Sequence, residues 1–200
     1  MANIGVLGAG TWGMALSRML FLSGHEITVW SALEQEVKEF AATRRHPNLP
    51  GMVIPGGIVF TGDIAGAVSG RDILLFAVPS VFIRSTAAAA APFAKEGQLI
   101  VDVAKGIEAD TLMTLTEVIR DEMIKAGKTH VRMVALSGPT HAEEVAMDLP
   151  STIVSASEDE EAAAYVQDIF MNTCMRVYTN DDVLGIELCG ALKKIGRAHV

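Results

Sequence analysis

The chain has 200 residues, 50% of them hydrophobic, with 24 acidic against 16 basic side chains and a formal net charge of −8. This length suits one domain or one and a fraction, and the apolar share is enough to fill a core, which excludes a disordered chain. With no run of Lys or Arg longer than two, nothing here would neutralise a phosphodiester backbone or hold an anionic membrane surface, so nucleic acid and membrane are excluded as partners.

The alanine run Ala87–Ala91 is ended by Pro92 and falls far short of the ~20 residues of a spanning helix. MANIGVLGAG carries no basic region and no cleavage site before its apolar stretch, so no signal peptide is expected. Cys174 and Cys189 have no metal or redox spacing; they read as small buried residues rather than a disulfide, and no metal site is expected. Together these features predict a cytoplasmic protein.

Along the chain, short β-rich runs alternate with longer helical ones, which predicts parallel βαβ units and an α/β fold. Strands are expected at Asn3–Leu7, Glu26–Trp30, Ile73–Val78, Leu99–Val103, Val131–Leu136 and Ser151–Ser155. Helices are expected at Trp12–Leu22, Leu33–Ala42, Val81–Ala91, Thr111–Lys125 and Asp159–Met171, each with apolar residues at three and four spacing. RRHPNLPGMVIPGG, rich in proline and glycine, reads as a long loop and therefore a candidate functional one. After Tyr178 a further helix begins, capped by Asn180 or Asp181, with Leu184, Ile186, Leu188, Ala191 and Leu192 as an inward stripe around Glu187.

The first strand and helix meet at GVLGAGTWGMAL, where Gly8, Gly10 and Gly13 have G-x-G-x-x-G spacing. The first glycine permits a tight turn and the second lets the backbone approach a pyrophosphate. The third allows close helix–strand contact, and free amides and the helix dipole face the anion. At a first βα junction this spacing predicts a dinucleotide site, with Thr11 and Trp12 at the helix start beside the phosphates.

The second strand ends in Trp30-Ser31-Ala32, with no acid until Glu34. An acid at that tip accepts the ribose hydroxyls of NAD and repels the 2′-phosphate of NADP, so its absence permits NADP. Arg44 and Arg45 reach a 2′-phosphate if the loop folds back; the alternative is two solvated arginines ending a helix.

Three further strands end in distinctive turns, FAVPS, VAKGIE and LSGPTHAEEVA, and ligands of open α/β sheets bind beyond the carboxyl ends of strands. Lys105 is a candidate phosphate contact, and Gly138 and Thr140 sit where a helix begins. Glu143 and Glu144 suit that helix dipole but repel a phosphate unless they point away. His141 has no catalytic neighbour in the sequence and reads as a packing or capping residue. Lys193, in GIELCGALKK, is by itself a surface lysine.

Taken in order, GAGTWGMAL, FAVPS, AKGIE, LSGPTHAEEVA and RVYTNDDVLGIELCGALK resemble the bacterial NAD(P)-dependent glycerol-3-phosphate dehydrogenases, from Asn3 to about Lys193. The resemblance implies a Rossmann-like, doubly wound and mostly parallel sheet with helices on both faces, over residues 1–179, and the first helix of an all-helical substrate domain at 180–194. It implies interconversion of sn-glycerol 3-phosphate and dihydroxyacetone phosphate with NAD or NADP, for glycerophospholipid synthesis. Cofactor contacts then fall on Thr11, Trp12, Lys105 and Ala142, and substrate contacts on Lys105, Gly138, Thr140 and Lys193. Lys193 matches the proton acceptor.

Oxidising a secondary alcohol needs a base and the reverse needs an acid, which one tuned lysine can supply. A free lysine titrates near ~10.4; partial burial and a second cation, Lys105, would lower it. The resemblance also admits a homodimer of the full-length enzyme. Two competing readings keep the nucleotide fold: a dehydrogenase of another small substrate, such as a 2-hydroxy acid or ketopantoate, and a non-catalytic dinucleotide sensor.

Beyond GALK the resemblance stops. KIGRAHV matches a translated sequencing adapter, so 195–200 and most of the Lys194 codon are expected to be a non-native tail on a truncated gene. The remaining substrate groups would belong to the absent domain, leaving a fragment unable to turn over and an orphan helix prone to associate.

Overall fold

The computed structural model describes residues 1–195. In chain order it has β1 (Asn3–Leu7), α1 (Thr11–Leu22), β2 (Glu26–Trp30), α2 (Glu34–Thr43), β3 (Val59–Thr61), α3 (Ile64–Val68), β4 (Ile73–Phe76) and α4 (Ile83–Ala90). There follow β5 (Leu99–Asp102), α5 (Leu115–Lys125), β6 (Arg132–Ser137), α6 (Ala142–Ala146), β7 (Ser151–Ala156), α7 (Glu160–Met171), β8 (Met175–Asn180) and α8 (Val183–Ile195).

Every residue of β4 and β5 is buried, as strands covered on both faces must be. The strands form one 8-stranded sheet in the order β3-β2-β1-β4-β5-β6-β7-β8. One hydrophobic cluster, built from α1, α6 and α7, covers one face, and a second, built from α3, α4 and α5, covers the other. This is the doubly wound, Rossmann-like arrangement. After β1 the chain adds strands on one side, then returns to pair β4 with the other edge of β1, so the topological switch point lies between β1 and β4.

Several expectations change. The sheet contains β3 and β8, which were not expected, and α3 joins β3 to β4. In β8, Met175 and Val177 are buried and alternate with exposed Arg176 and Tyr178, a period-two signal obscured by polar neighbours. The one antiparallel pairing of the mostly parallel sheet joins β7 to β6. The cause is α6, which packs on α1 instead of crossing the sheet, so the chain re-enters from the carboxyl end of β6. The expected helix from Thr111 begins only at Leu115. Leu112 adopts a left-handed φ of 61°, and a reciprocal Thr114–Glu117 capping box sets the start.

In α8 the cap is Asp182, whose Oδ1 accepts the Gly185 amide at 2.8 Å, while Asn180 accepts the Asp182 amide. Its apolar stripe turns inward only in part: Ile186 and Ala191 are half-buried, Leu184, Leu188 and Leu192 are exposed, and Glu187 and Gly190 are buried. Cys174 is half-buried and Cys189 exposed, both as free thiols. The long loop is largely structural, since Leu49, Met52, Ile54 and Ile58 enter the core at 1–2% exposure. Apart from Ile195, the expected non-native tail lies outside the described residues.

Between α4 and α5 lies an ion cluster. Arg84 pairs with Glu108 through one guanidinium edge, Nε and Nη2 (2.7 and 2.6 Å), and through Nη1 meets Asp121 and Glu122, which Lys125 joins at 2.7 Å. Hydrogen bonds from Arg84 and Thr111 hold the Glu108 carboxyl down at about 2. Because the native value is depressed, its contribution is present above the unfolded value of 4.5 and lost as pH falls toward 2. Thermal melts at several pH values across this window should show a smaller acid-side loss of Tm in Arg84→Met than in the parent; equal slopes would contradict the assignment.

Candidate active site

At the switch point the chain makes two close approaches that tolerate no side chain. Gly8 sits at φ 124°, and an added Cβ would lie 2.7 Å from the Ala77 carbonyl carbon. At Gly13 an added Cβ would collide with the Gly8 carbonyl oxygen. These contacts draw α1 against the end of β1 and aim its first amides at the carboxyl edge of the sheet. Gly10 is the helix cap, with no side-chain cap bond and no acid in the first turn. A Cβ there would project into open space. Bare amides and an unopposed dipole suit the pyrophosphate of a dinucleotide.

A cavity of about 360 Å³ opens beyond this helix start. It is lined by Gly10, Thr11 and Trp12 after β1, Ala77–Ser80 after β4, Val103–Lys105 after β5, Thr140–Glu143 at α6, and Lys193 of α8. The three turns noted in the sequence therefore converge on one crevice. His141 occupies the α6 cap position without a side-chain cap bond and lines the cavity, rather than packing or capping as expected. Glu143 also lines the wall, whereas Glu144 does not.

Two amines meet on one turn. Lys105 Nζ donates to the Gly138 carbonyl at 2.9 Å, and Lys193 Nζ donates to the Thr140 carbonyl at 3.0 Å. Lys193 also borders a second cavity of about 360 Å³, formed with Ser137–Pro139, Val154, Ile186, Cys189 and Gly190. A lysine thus stands where the two cavities meet. Gly190 allows this, because a Cβ there would come within 2.7 Å of Ser137 Oγ.

Sequence reasoning missed the carboxyls behind the lysines. Asp102, 2% exposed, accepts the Ala104 amide and so shapes the turn carrying Lys105. Burial, and then the charge of Glu187, pushes its pKa well up and favours the neutral acid. Glu187 fastens α8 to the start of α5 by accepting the Thr116 amide at 3.0 Å and the Thr116 hydroxyl at 2.5 Å. The signal for Glu187 was a charge embedded in an apolar helix stripe. His46 was also missed. It is stacked on Phe40 at 5.2 Å between ring centroids and accepts the Asn48 amide, and burial lowers its pKa.

Arg44 and Arg45 do not line the cavity. Arg44 donates to the Pro55 and Ile58 carbonyls and lies over the Phe60 ring, 5.4 Å from its centroid. Each such hydrogen bond is worth roughly 1 kcal/mol, which its release would forfeit. Arg45 is exposed.

The family profile described as "NAD-dependent glycerol-3-phosphate dehydrogenase N-terminus" matches residues 3–163. The chain belongs to this family. It is 69% identical over 196 residues to glycerol-3-phosphate dehydrogenase (NAD(P)+) 2 of Lactobacillus delbrueckii subsp. bulgaricus, covering 98% of this chain and 58% of the relative. Identity to the glycerol-3-phosphate dehydrogenase of Agathobacter rectalis is 47% over 196 residues, covering 98% and 57%. The crystal structure of the Coxiella burnetii glycerol-3-phosphate dehydrogenase superposes with a TM-score of 0.89 at 30% identity, over 97% of this chain and 58% of that one. The chain therefore spans about 58% of the length of the relatives it matches. Among the described residues no helix is long and apolar enough to cross a membrane.

The two glycine classes separate experimentally. Gly10→Ala should leave Tm nearly unchanged but weaken nucleotide binding by filling the cavity mouth, whereas Gly13→Ala should cost about 1–3 kcal/mol of stability through overpacking. Thermal melts and nucleotide titration on both variants check this; equal destabilisation would refute it.

Proposed function

We propose that the enzyme to which this chain contributes interconverts sn-glycerol 3-phosphate and dihydroxyacetone phosphate with NAD(P), in the cytoplasm, as a step toward glycerophospholipids. The supporting observation is the pair of amines held by the carbonyls of Gly138 and Thr140 at the edge of the nucleotide cavity. Gly10, Thr11 and Trp12 would hold the pyrophosphate through helix amides, with Ala142 and Lys105 on the opposite wall. Bound NAD(P) would take up or give back the hydride on the substrate's secondary carbon. Lys193 would accept the hydroxyl proton during oxidation and return it during reduction, while Lys105 and the Gly138–Thr140 turn orient the phosphate-bearing substrate.

Residues 1–193 joined to the carboxy-terminal remainder of the Lactobacillus relative provide a complete enzyme for the test. In that chimera Lys193→Ala should lower kcat for glycerol 3-phosphate oxidation by about 100- to 10,000-fold without changing nucleotide affinity. Unchanged kcat would sink the role of Lys193, and a chimera that oxidises a 2-hydroxy acid but not glycerol 3-phosphate would sink the substrate assignment. Residues 1–200 alone should bind nucleotide without turnover, since they span about 58% of the relatives; measurable oxidation by the isolated chain would contradict this.

A further inference from the structure

The end of β2 lacks an acid in sequence, yet the fold brings one there. β2 pairs with β1 so that Trp30 lies opposite Leu7, and the Gly8 amide donates to the Trp30 carbonyl at 3.0 Å. The strand tip therefore abuts the glycine turn, where the adenosine ribose of a dinucleotide lies in this fold. The next residue, Ser31, is 6% exposed, and its hydroxyl accepts the Leu33 amide at 3.1 Å and donates to Glu36 Oε2 at 2.6 Å. Glu36, half-buried in the first turn of α2, is thus drawn back to the tip of β2.

Two further observations agree. The first turn of a helix favours the ionised carboxylate. A carboxylate has about four acceptor positions, and the Ser31 hydroxyl uses one. Meanwhile Arg44, the nearer of the two arginines to α2, is engaged by the Pro55 and Ile58 carbonyls and the Phe60 ring.

We infer that Glu36, held by Ser31, is the specificity-determining residue for the nucleotide: it accepts hydrogen bonds from the adenosine ribose hydroxyls and repels a 2′-phosphate, so that the chain selects NAD(H) over NADP(H). This rests on the nucleotide site proposed above. The acid that other chains carry at the end of the second strand is supplied here from the following helix, five residues after the serine that anchors it.

The test is calorimetric titration of residues 1–200 with NADH and with NADPH. NADH should bind at least about tenfold more tightly, the scale of one like-charge encounter at a partly buried site. Glu36→Gln should bring the two affinities to near equality, chiefly by strengthening NADPH. Ser31→Ala should shift the ratio the same way by a smaller factor, and Glu39→Gln, an exposed acid further along α2, should leave it unchanged. Equal or tighter binding of NADPH by the parent, or an unaltered ratio in Glu36→Gln, overturns the inference. So does a selective loss of NADPH binding in Arg44→Ala or Arg45→Ala. Failure to bind either nucleotide would overturn the nucleotide site itself and this inference with it, an outcome distinct from binding both without discrimination.

Discussion

The close packing of main chain at Gly8, Gly13 and Ala77 is the constraint on which the carboxyl edge of the sheet depends. It brings the amino end of α1 between the ends of β1 and β4, where the order of strands reverses and no crossing helix fills the gap. A side chain at Gly8 or Gly13 would push α1 away and remove the amides from the crevice. Around this point the long 44–58 loop serves as scaffolding: it buries aliphatic side chains in the core cluster that α1 shares, and His46 stacks on Phe40 of α2.

Charge is arranged in layers away from this crevice. Lysine amines face the cavity, fixed by backbone carbonyls that hold them in place without neutralising them. Behind them Asp102 and Glu187 occupy the interior, where two ionised carboxyls would repel each other. Burial favours neutral Asp102, while Glu187 is satisfied by both donors of Thr116. Further out, Arg84 and its carboxylate partners tie the segment after Lys105 to α4 and α5. The position of each lysine is therefore set by main-chain carbonyls and by the carboxyls behind them, and Glu187 anchors α8 to α5.

Much of this was legible in the residues. Buried strands such as Ile73–Phe76 announce themselves as unbroken apolar runs, and the glycine spacing marks a turn whose conformation no other residue adopts easily. The turns FAVPS, AKGIE and SGPT stood out by composition and do meet at one cavity. Less visible were short or polar elements. β3 has only three residues, and β8 alternates within a polar context, so neither carries enough apolar signal to be recognised locally. The reversal of β7 could not be read from its own residues, because it depends on where α6 packs.

The sequence by itself determined the alternating α/β order, the glycine turn, the three ligand-edge turns and the family, because each is a local pattern repeated in neighbouring residues. Tertiary structure alone decided which charges those turns encounter. It turned Glu187 inward while Leu184, Leu188 and Leu192 remained exposed, engaged Arg44 with loop carbonyls, and returned Glu36 to the tip of β2. The physical reason is that hydrogen bonds to buried polar groups join residues across element boundaries, often far apart in the chain. Thr116 and Glu187 are 71 residues apart, and no periodicity in either segment records the contact that fixes both.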